Sequence, residues 1–267
     1  MQFYNAQLRY NKIRDLTAAF IWGLLVGGLL LLLPKEGLPA SADRQPMHAI
    51  FDGLLSKYNR QGRVDYGGFK REEANLDAYL DLLAEIEPGT LGRDQRIAFY
   101  INAYNAWTIK LVLSGYPGVE SIKDFGSLFK SPWKKRFVRI GSQVLSLDHI
   151  ENDILRPQFK DPRIHFAINC ASKSCPQLYH EAFAGSRLDA QLDDATRRFI
   201  NDKRFNRLEE KTLYVSRIFK WYRDDFDGDI IGFFERYAAP PLKAAIVGRK
   251  KELKIEYLDY DWSLNGE

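Results

Sequence analysis

The chain has 267 residues, with 39 Lys or Arg against 35 Asp or Glu, and a formal net charge of +4 at pH 7. Hydrophobic residues make up 45% of it and aromatic residues 13%, which excludes a disordered chain and indicates a packed globular core. Because basic and acidic residues are interspersed and nearly balanced, the composition predicts no nucleic-acid partner.

The N-terminal segment has the pattern of a membrane anchor or an export signal. A basic flank at 1–15 precedes an uncharged apolar run at 16–33, which as a helix would rise about 27 Å, close to the thickness of a bilayer core. This order predicts a cytoplasmic N-terminus, a helix in the inner membrane, and a globular part on the periplasmic or extracellular side. Ala40-Ser41-Ala42 offers a cleavage site, whereas the length of the run favours a retained anchor, and both remain open.

The rest of the chain predicts a single globular domain of the α+β class. Residues 34–46 contain Pro, Gly and Ser and predict a linker, and 47–267 are long enough for one sizeable core. Helical spacing of apolar residues predicts helices mainly in the first half, and short apolar runs predict a small, mostly antiparallel sheet in the second. The predicted helices are 47–58, 76–86, 95–113, 149–159, 188–201, 230–237 and 242–246. The predicted strands are a hairpin within 133–146, and 163–169, 212–216, 218–221 and 253–258.

The helix predicted at 95–113 carries two polar residues that need partners. It is apolar on nearly all sides and therefore predicted to be buried, yet Asn102 and Asn105 lie three residues apart on one face. Burying an amide without hydrogen-bond partners costs roughly 2 kcal/mol or more. The two amides either form a structural network or point into a site, where Asn102 would orient a catalytic group and Asn105 would bind substrate.

The stretch IHFAINCASKSCPQL holds both cysteines of the chain, Cys170 and Cys175, together with His165. On a regular strand, His165 and Asn169 would share one face and Cys170 would lie on the other, which disfavours a direct pair of His165 with Cys170. The residues ASKS predict a turn that brings Cys175 back towards the strand end. A polar loop after a buried strand is typical of a functional site.

Four interpretations of this stretch remain open. The cysteines form a disulfide, one of them is a nucleophile with His165 as its base, they hold zinc together with histidines, or both are buried free thiols. His165, Cys170, Cys175 and His180 recur at an even spacing that is not the usual zinc pattern. We therefore predict no metal and no cofactor.

Two further motifs place charged residues among apolar ones. Glu151 in SLDHIENDILRP is a candidate partner acid for the site, although a solvated acid on a helix would give the same pattern. The motif RIFKWYRDDF interleaves aromatic and charged residues, as in surfaces that bind glycans or peptides, or in an edge strand that leads into a helix.

Five ordered segments resemble the domain of unknown function 547 family: AFYINAYNAWTIKLVL, SLDHIENDILRP, HFAINCASKSCPQL, LYVSRIFKWYRDDF and LDYDWSLN. The resemblance runs over about 93–225, with the last segment outlying. Bacterial members are often exported, so it implies an exported bacterial protein, but it implies no activity. Pro176-Gln177 stands where the family usually has two prolines, and His149 where an acid is commoner. The residues on the family's motif positions are Asn102, Asn105, Glu151, Arg156, His165, Asn169, Cys170, Ser172, Cys175 and Pro176.

The first hypothesis is a thiol-dependent hydrolase or transferase acting on amide or thioester bonds. Cys170 or Cys175 would attack, His165 would accept the proton, and Asn102 or Glu151 would orient the imidazole. Backbone amides of 171–174 would stabilise the oxyanion. The predicted substrate-binding residues are Asn105, Asn169 and Ser172.

The second hypothesis is a non-enzymatic binding or scaffolding module of the cell envelope, in which Cys170 and Cys175 form a structural disulfide. In both hypotheses the expected partners are the membrane, through the N-terminal helix, and a cell-envelope peptide or glycan. An enzyme requires a free thiolate within hydrogen-bond reach of His165 and next to a cavity. A scaffold requires bonded sulfurs and a histidine whose hydrogen bonds are satisfied by backbone.

Overall fold

The computed structural model describes residues 45–127 and 131–267. The apolar run at 16–33 and most of the predicted linker lie outside the described residues. Among the described residues, no helix combines the length and apolarity needed to cross a bilayer. The membrane anchor or signal therefore stays a prediction.

Helices make up most of the first half, as the apolar spacing predicts. The helix α4 (Arg93–Leu113) is the most buried of them. The others pack around it, each with one apolar side turned inward. The Asp65 side chain begins α2 by accepting a hydrogen bond from the Gly68 N–H. These helices are α1 (Gln45–Tyr58), α2 (Tyr66–Arg71), α3 (Glu73–Ala84) and α4 (Arg93–Leu113).

The second half begins with a composite helix that follows a β-hairpin. The Ser146 side chain caps its start by accepting from the His149 N–H, and a π-helical turn, Ile150–Leu155, continues it. π turns are rare and are often found at functional sites. The helices of this half are α5 (Leu147–His149), α6 (Arg156–Phe159), α7 (Leu188–Ile200), α8 (Ile218–Trp221), α9 (Ile230–Tyr237) and α10 (Pro240–Val247).

Two predicted strands are wrong. Residues Pro162–Phe166 form a 3-10 turn, because Asp161 accepts from the Arg163 N–H and Pro162 presets a helical φ at its first position. Ile218–Trp221 forms the helix α8. A short apolar run does not distinguish a strand from a buried helical turn, since both bury the same residues.

The strands of the described residues form small sheets that are antiparallel with one exception. The hairpin of β3 and β4 turns at Gly141, whose φ of +53° favours glycine. β5 and β6 are antiparallel, but β7 joins β6 in parallel, so the predicted mostly antiparallel sheet is a mixed one. The strands are β1 (Asn59–Arg60), β2 (Arg63–Val64), β3 (Val138–Ile140), β4 (Gln143–Leu145), β5 (Arg207–Glu209), β6 (Thr212–Val215) and β7 (Lys254–Tyr257).

Two clusters of buried apolar residues divide the interior. One surrounds α4, and the other is rich in phenylalanine and lies among α7, α9 and the last sheet. Ile164 belongs to the first cluster and Phe166 to the second. His165, between these two residues, is therefore held at the boundary of the two clusters.

The last residues of the chain, 259–267, run along the cysteine-containing loop, and we call them the C-terminal strap. The N–H of Lys173 donates to the carbonyl of Ser263, and the N–H of Asn265 donates to the carbonyl of Ala171. The strap thereby fixes the loop 169–176 from its outer side.

Candidate functional site

A cavity of about 280 Å³ opens at the boundary of the two apolar clusters. Both cysteines line it, together with His165 and Glu151. Aromatic rings form much of its wall, and two of them come from the C-terminal strap. The other lining residues of the described chain are Tyr104, Ser131, Trp133, Asp148, Asn152, Ile168, Pro176, Ile218, Trp221, Tyr222, Tyr260 and Trp262.

The sulfur of Cys170 is surrounded by hydrogen-bonding groups. It lies 3.1 Å from the Ser172 Oγ and 3.3 Å from the Tyr260 hydroxyl. A hydrogen bond from the Cys175 thiol, followed by those from Ser172 and Tyr260, outweighs burial and lowers the pKa of Cys170 to about 7. Burial, and then the charge of Cys170, keep the Tyr260 pKa well above its usual range, so Tyr260 remains a donor. A substantial fraction of Cys170 is therefore thiolate near neutral pH.

Cys175 has the opposite character. Its sulfur is buried and accepts a hydrogen bond of 2.9 Å from the Cys170 backbone N–H. Burial raises the pKa of Cys175 well above its ordinary value, and the neighbouring Cys170 raises it further. The two thiols are free, so the predicted disulfide is not formed in this structure. Cys170 is the nucleophile candidate and Cys175 its neutral neighbour.

His165 is paired with a carboxylate that lies 60 positions away in the chain. Its Nε2 lies 2.6 Å from an Asp225 carboxylate oxygen, and the side chain of His165 is almost completely buried. Arg156 binds the same carboxylate through two nitrogens, at 2.6 and 3.0 Å. Burial alone would raise the pKa of Asp225, but hydrogen bonds from His165 and Arg156 hold it well below its usual range. Asp225 is therefore a carboxylate that orients the imidazole.

The rings around His165 fix its plane. Tyr222 stacks on the imidazole with ring centroids 4.0 Å apart. The Arg156 guanidinium lies over the Tyr222 ring, 4.8 Å from its centroid. Within the described residues, His165 Nδ1 makes no hydrogen bond, and no hydrogen bond joins the ring to Cys170. Because Nε2 is engaged by Asp225, Nδ1 is the nitrogen left for proton transfer in the shared cavity.

Glu151 lies on the π-helical turn and is buried although it lines the cavity. The Tyr104 hydroxyl donates to its Oε2 at 3.4 Å. The Tyr222 pKa is raised by burial first and then by the charge of Glu151, with which its hydroxyl interacts. Two phenolic groups thus face one buried carboxyl.

Asn102 and Asn105 bind backbone rather than cavity groups. The Asn102 amide donates to the Phe183 carbonyl at 2.8 Å and accepts from the Phe183 N–H at 2.9 Å. Asn105 likewise donates to the Ala167 carbonyl and accepts from the Asn169 N–H. Neither residue lines the cavity. The structural network, one of the two predicted alternatives, describes their contacts.

Asn169 and Ser172 shape the cysteine loop. Asn169 donates to the Pro176 carbonyl at 2.7 Å and accepts from the Ala171 N–H at 2.9 Å, which holds Ala171 at a φ of +63°. Left-handed backbone is unfavourable for alanine, so this side chain stabilises the bend. The Ser172 hydroxyl lies between the Cys170 sulfur and the Tyr260 hydroxyl, 3.1 Å from each.

Three of the four N–H groups of the predicted oxyanion site, 171–174, are already bound by other groups. The N–H of Ala171 is bound by Asn169, and those of Lys173 and Ser174 are bound by carbonyls of the C-terminal strap. The N–H of Ser172 acts on the Cys170 sulfur. Of these four amides, only that of Ser172 therefore remains beside the reactive sulfur, where side-chain donors can also stabilise a developing oxyanion.

Comparison with known proteins identifies a family for part of the chain. Residues 88–200 match the model of the family described as "Protein of unknown function, DUF547". Over this segment the chain is similar to the proteins of this family. No curated protein and no solved structure shows significant similarity. The DUF547 match includes both cysteines, His165 and Glu151, and the family description gives no activity.

The site includes residues beyond the segment that matches DUF547, among them Asp225 and Tyr260, for which the sequence predicted no role. Asp225 is the last charged residue of the motif RIFKWYRDDF, and Tyr260 belongs to the segment LDYDWSLN. Both motifs could have indicated a functional site, because they place polar groups among aromatic residues. Neither could be connected to the cysteine loop without the tertiary contacts.

The lowered pKa of Cys170 predicts its reactivity with an alkylating reagent. The alkylation rate should rise with pH to a plateau with a midpoint near 7. In Cys175→Ala the main hydrogen-bond donor is lost, so the midpoint should rise towards the ordinary thiol value of about 8.5. Iodoacetamide kinetics followed by peptide mass spectrometry measure both, with Cys170→Ala as the control. An unchanged midpoint in Cys175→Ala would contradict the assigned cause.

Proposed function

We propose that the protein is a thiol-dependent hydrolase or transferase that acts on amide or thioester bonds, with Cys170 as its nucleophile. The observation that carries this proposal is the Cys170 sulfur. It lines a cavity, is free, and has its pKa lowered to about 7 by three hydrogen-bonding side chains. A thiolate near neutral pH in a cavity is what nucleophilic catalysis requires.

The first step forms an acyl-enzyme. The Cys170 thiolate attacks the carbonyl carbon of the substrate, and the C–N or C–S bond of the leaving group breaks. When the thiolate forms, the Cys170 thiol proton passes to Nδ1 of His165, and the leaving amine or thiol takes this proton from the imidazolium. Asp225 holds Nε2–H, keeps the ring oriented and stabilises its positive charge.

Tyr260 is the side chain best placed to stabilise the oxyanion. Its hydroxyl donates to the Cys170 sulfur before attack, at 3.3 Å. As the sulfur–carbon bond forms, the negative charge moves from the sulfur to the carbonyl oxygen. The Tyr260 hydroxyl can then donate its hydrogen bond to this oxygen instead of to the sulfur. A preorganised donor of this kind contributes about a hundredfold to the rate.

The scaffolding alternative is less well supported. It requires Cys170 and Cys175 to be bonded, whereas the free pair has one thiol that favours ionisation and one that opposes it. The scaffolding hypothesis also assigns no role to the His165–Asp225 pair beside the cavity.

We further propose that the domain works at the outer face of the inner membrane, on a cell-envelope peptide or glycan. The support is the sequence pattern of 1–33, a basic flank before an uncharged run. Fractionation of cells that express the full chain tests whether the protein is bound to the membrane. Protease treatment of intact spheroplasts then tests on which side the domain lies. Protection of the domain from protease in intact spheroplasts would contradict it.

Trapping of an acyl-enzyme tests the proposed chemistry. The purified full chain is mixed with an aryl thioester, and the adduct is located by peptide mass spectrometry. We expect acylation of Cys170, followed by turnover, at a rate about a hundredfold or more above that of free cysteine at the same pH. Cys170→Ala should form no adduct, while Cys175→Ala should still form one. Acylation no faster than that of free cysteine would contradict the proposal.

A further inference from the structure

Glu151 is a buried carboxyl with two phenolic neighbours and no cation bound to it within the described residues. Its residue exposure is 7%, yet it lines the cavity next to Cys170. Tyr104 donates to one oxygen, and Tyr222 interacts with the same carboxyl. A carboxylate has room for about four hydrogen bonds. Acceptor capacity therefore remains on the side of Glu151 that faces the cavity.

Aromatic rings line the route from the surface to this carboxyl. Trp221 is 44% exposed and stacks on Trp262 with ring centroids 5.7 Å apart, and Tyr260 contacts both rings. Trp133 packs edge-on against Trp262 at 5.5 Å. The faces of such rings attract cations.

The same ring cluster already holds one ammonium group. The Nζ of Lys123 lies 3.9 Å from the centroid of the Trp262 ring. Asp148 and Glu151 line the cavity and no Lys or Arg does so within the described residues, so His165 is the one basic side chain among its described lining residues. Charge and aromatic faces therefore both favour a cationic ligand.

We propose that the acyl acceptor of this site is a primary amine, bound as its ammonium form over the aromatic rings and held by Glu151. The reaction then ends in a new amide bond rather than in hydrolysis. This inference rests on the proposed function, because it requires the acyl-enzyme on Cys170.

The acceptor step balances without a further reactant. The bound ammonium gives one proton to Glu151 and becomes a neutral amine. The amine nitrogen attacks the thioester carbon, the C–S bond breaks, and Cys170 leaves as a thiolate. The second N–H proton passes to Nδ1 of His165, which restores the imidazolium. Glu151 then releases its proton to solvent.

Partition of the acyl-enzyme between amine and water tests the inference. The full chain is acylated with an aryl thioester, n-butylamine is added over a range of concentrations, and the amide and free-acid products are quantified by mass spectrometry. The ratio is measured on acyl-enzyme already formed, so a change in the acylation rate does not affect it. We expect amide formation to saturate with amine, which indicates a binding site.

Two comparisons identify the role of Glu151. Glu151→Gln should lower the amide-to-acid ratio by about tenfold to a hundredfold, because it loses the charge that binds the ammonium. Asp153→Asn removes a charge from the same helical turn, where Asp153 is exposed and pairs with His149, and should leave the ratio unchanged. Equal ratios in wild type and Glu151→Gln would overturn the inference.

A measurement on the wild-type protein keeps the test independent of the folding of the variant. A butyltrimethylammonium ion cannot be acylated and should compete with n-butylamine, whereas n-butanol should not. An acyl-enzyme that is only hydrolysed at every amine concentration overturns the acceptor proposal alone. Failure to form any acyl-enzyme on Cys170 overturns the proposed function as well.

Discussion

Asp225→Asn is expected to slow turnover of a thioester or amide substrate by about a thousandfold. The substitution keeps the shape of the side chain but removes the charge that orients the His165 ring and stabilises its protonated form. It also leaves the Arg156 guanidinium half-buried without its carboxylate. We therefore expect a fall of about 1–3 kcal/mol in the free energy of unfolding. Steady-state kinetics and urea titration measure the two effects.

A catalytic role of the pair can be distinguished from a structural one. The pKa of Cys170 is lowered by its own neighbours, so its alkylation midpoint in Asp225→Asn should stay near 7 while turnover falls. Asp224→Asn changes the adjacent, exposed carboxyl and is the matched control. If alkylation and turnover fell together, Asp225 would be acting only through the fold.

Asn169→Ala is expected to have the largest effect on stability. Its amide group makes hydrogen bonds to Pro176, Ala171 and Asn265, and the residue is 4% exposed. Loss of these bonds in a buried place costs about 3–4 kcal/mol, since each partner is left without its hydrogen bond. The variant also lacks the hydrogen bond that the Ala171 N–H donates, and this bond offsets the cost of the positive φ of Ala171. Chemical denaturation monitored by tryptophan fluorescence measures the loss.

The matched control for Asn169→Ala is Asn102→Ala, which removes a buried amide of the same kind away from the cavity. Both variants should be destabilised, but only Asn169→Ala should raise the alkylation midpoint of Cys170 towards about 8.5. Selective loss of Cys170 reactivity in Asn102→Ala would instead support the role in the site predicted from the sequence.

The helices and the hairpin could be predicted from the sequence because they depend on neighbours along the chain. The spacing of apolar residues predicted α1, α3 and α4, and the predicted hairpin corresponds to β3 and β4. The predicted strand around His165 failed, since a proline and an aspartate there favour a 3-10 turn that the apolar pattern does not reveal.

The chemical groups of the site were also identified from the sequence, although their geometry was not. Cys170, Cys175, His165 and Glu151 were all candidates, and all of them line one cavity. Asn102 and Asn105 were singled out because buried amides need partners. Which partners they take depends on the packing of the loops against α4, and both amides bind backbone there.

By itself, the sequence determined the similarity of residues 88–200 to the DUF547 family, the helical first half, and which residues carry reactive groups. These features depend on local patterns and on residue type. Only the tertiary structure decided which thiol favours ionisation and which carboxylate orients His165. The Cys170 sulfur meets a hydroxyl 90 positions away, and His165 meets a carboxylate 60 positions away. Such pairs form when distant segments pack together, and burial together with these hydrogen bonds then sets the pKa of each group.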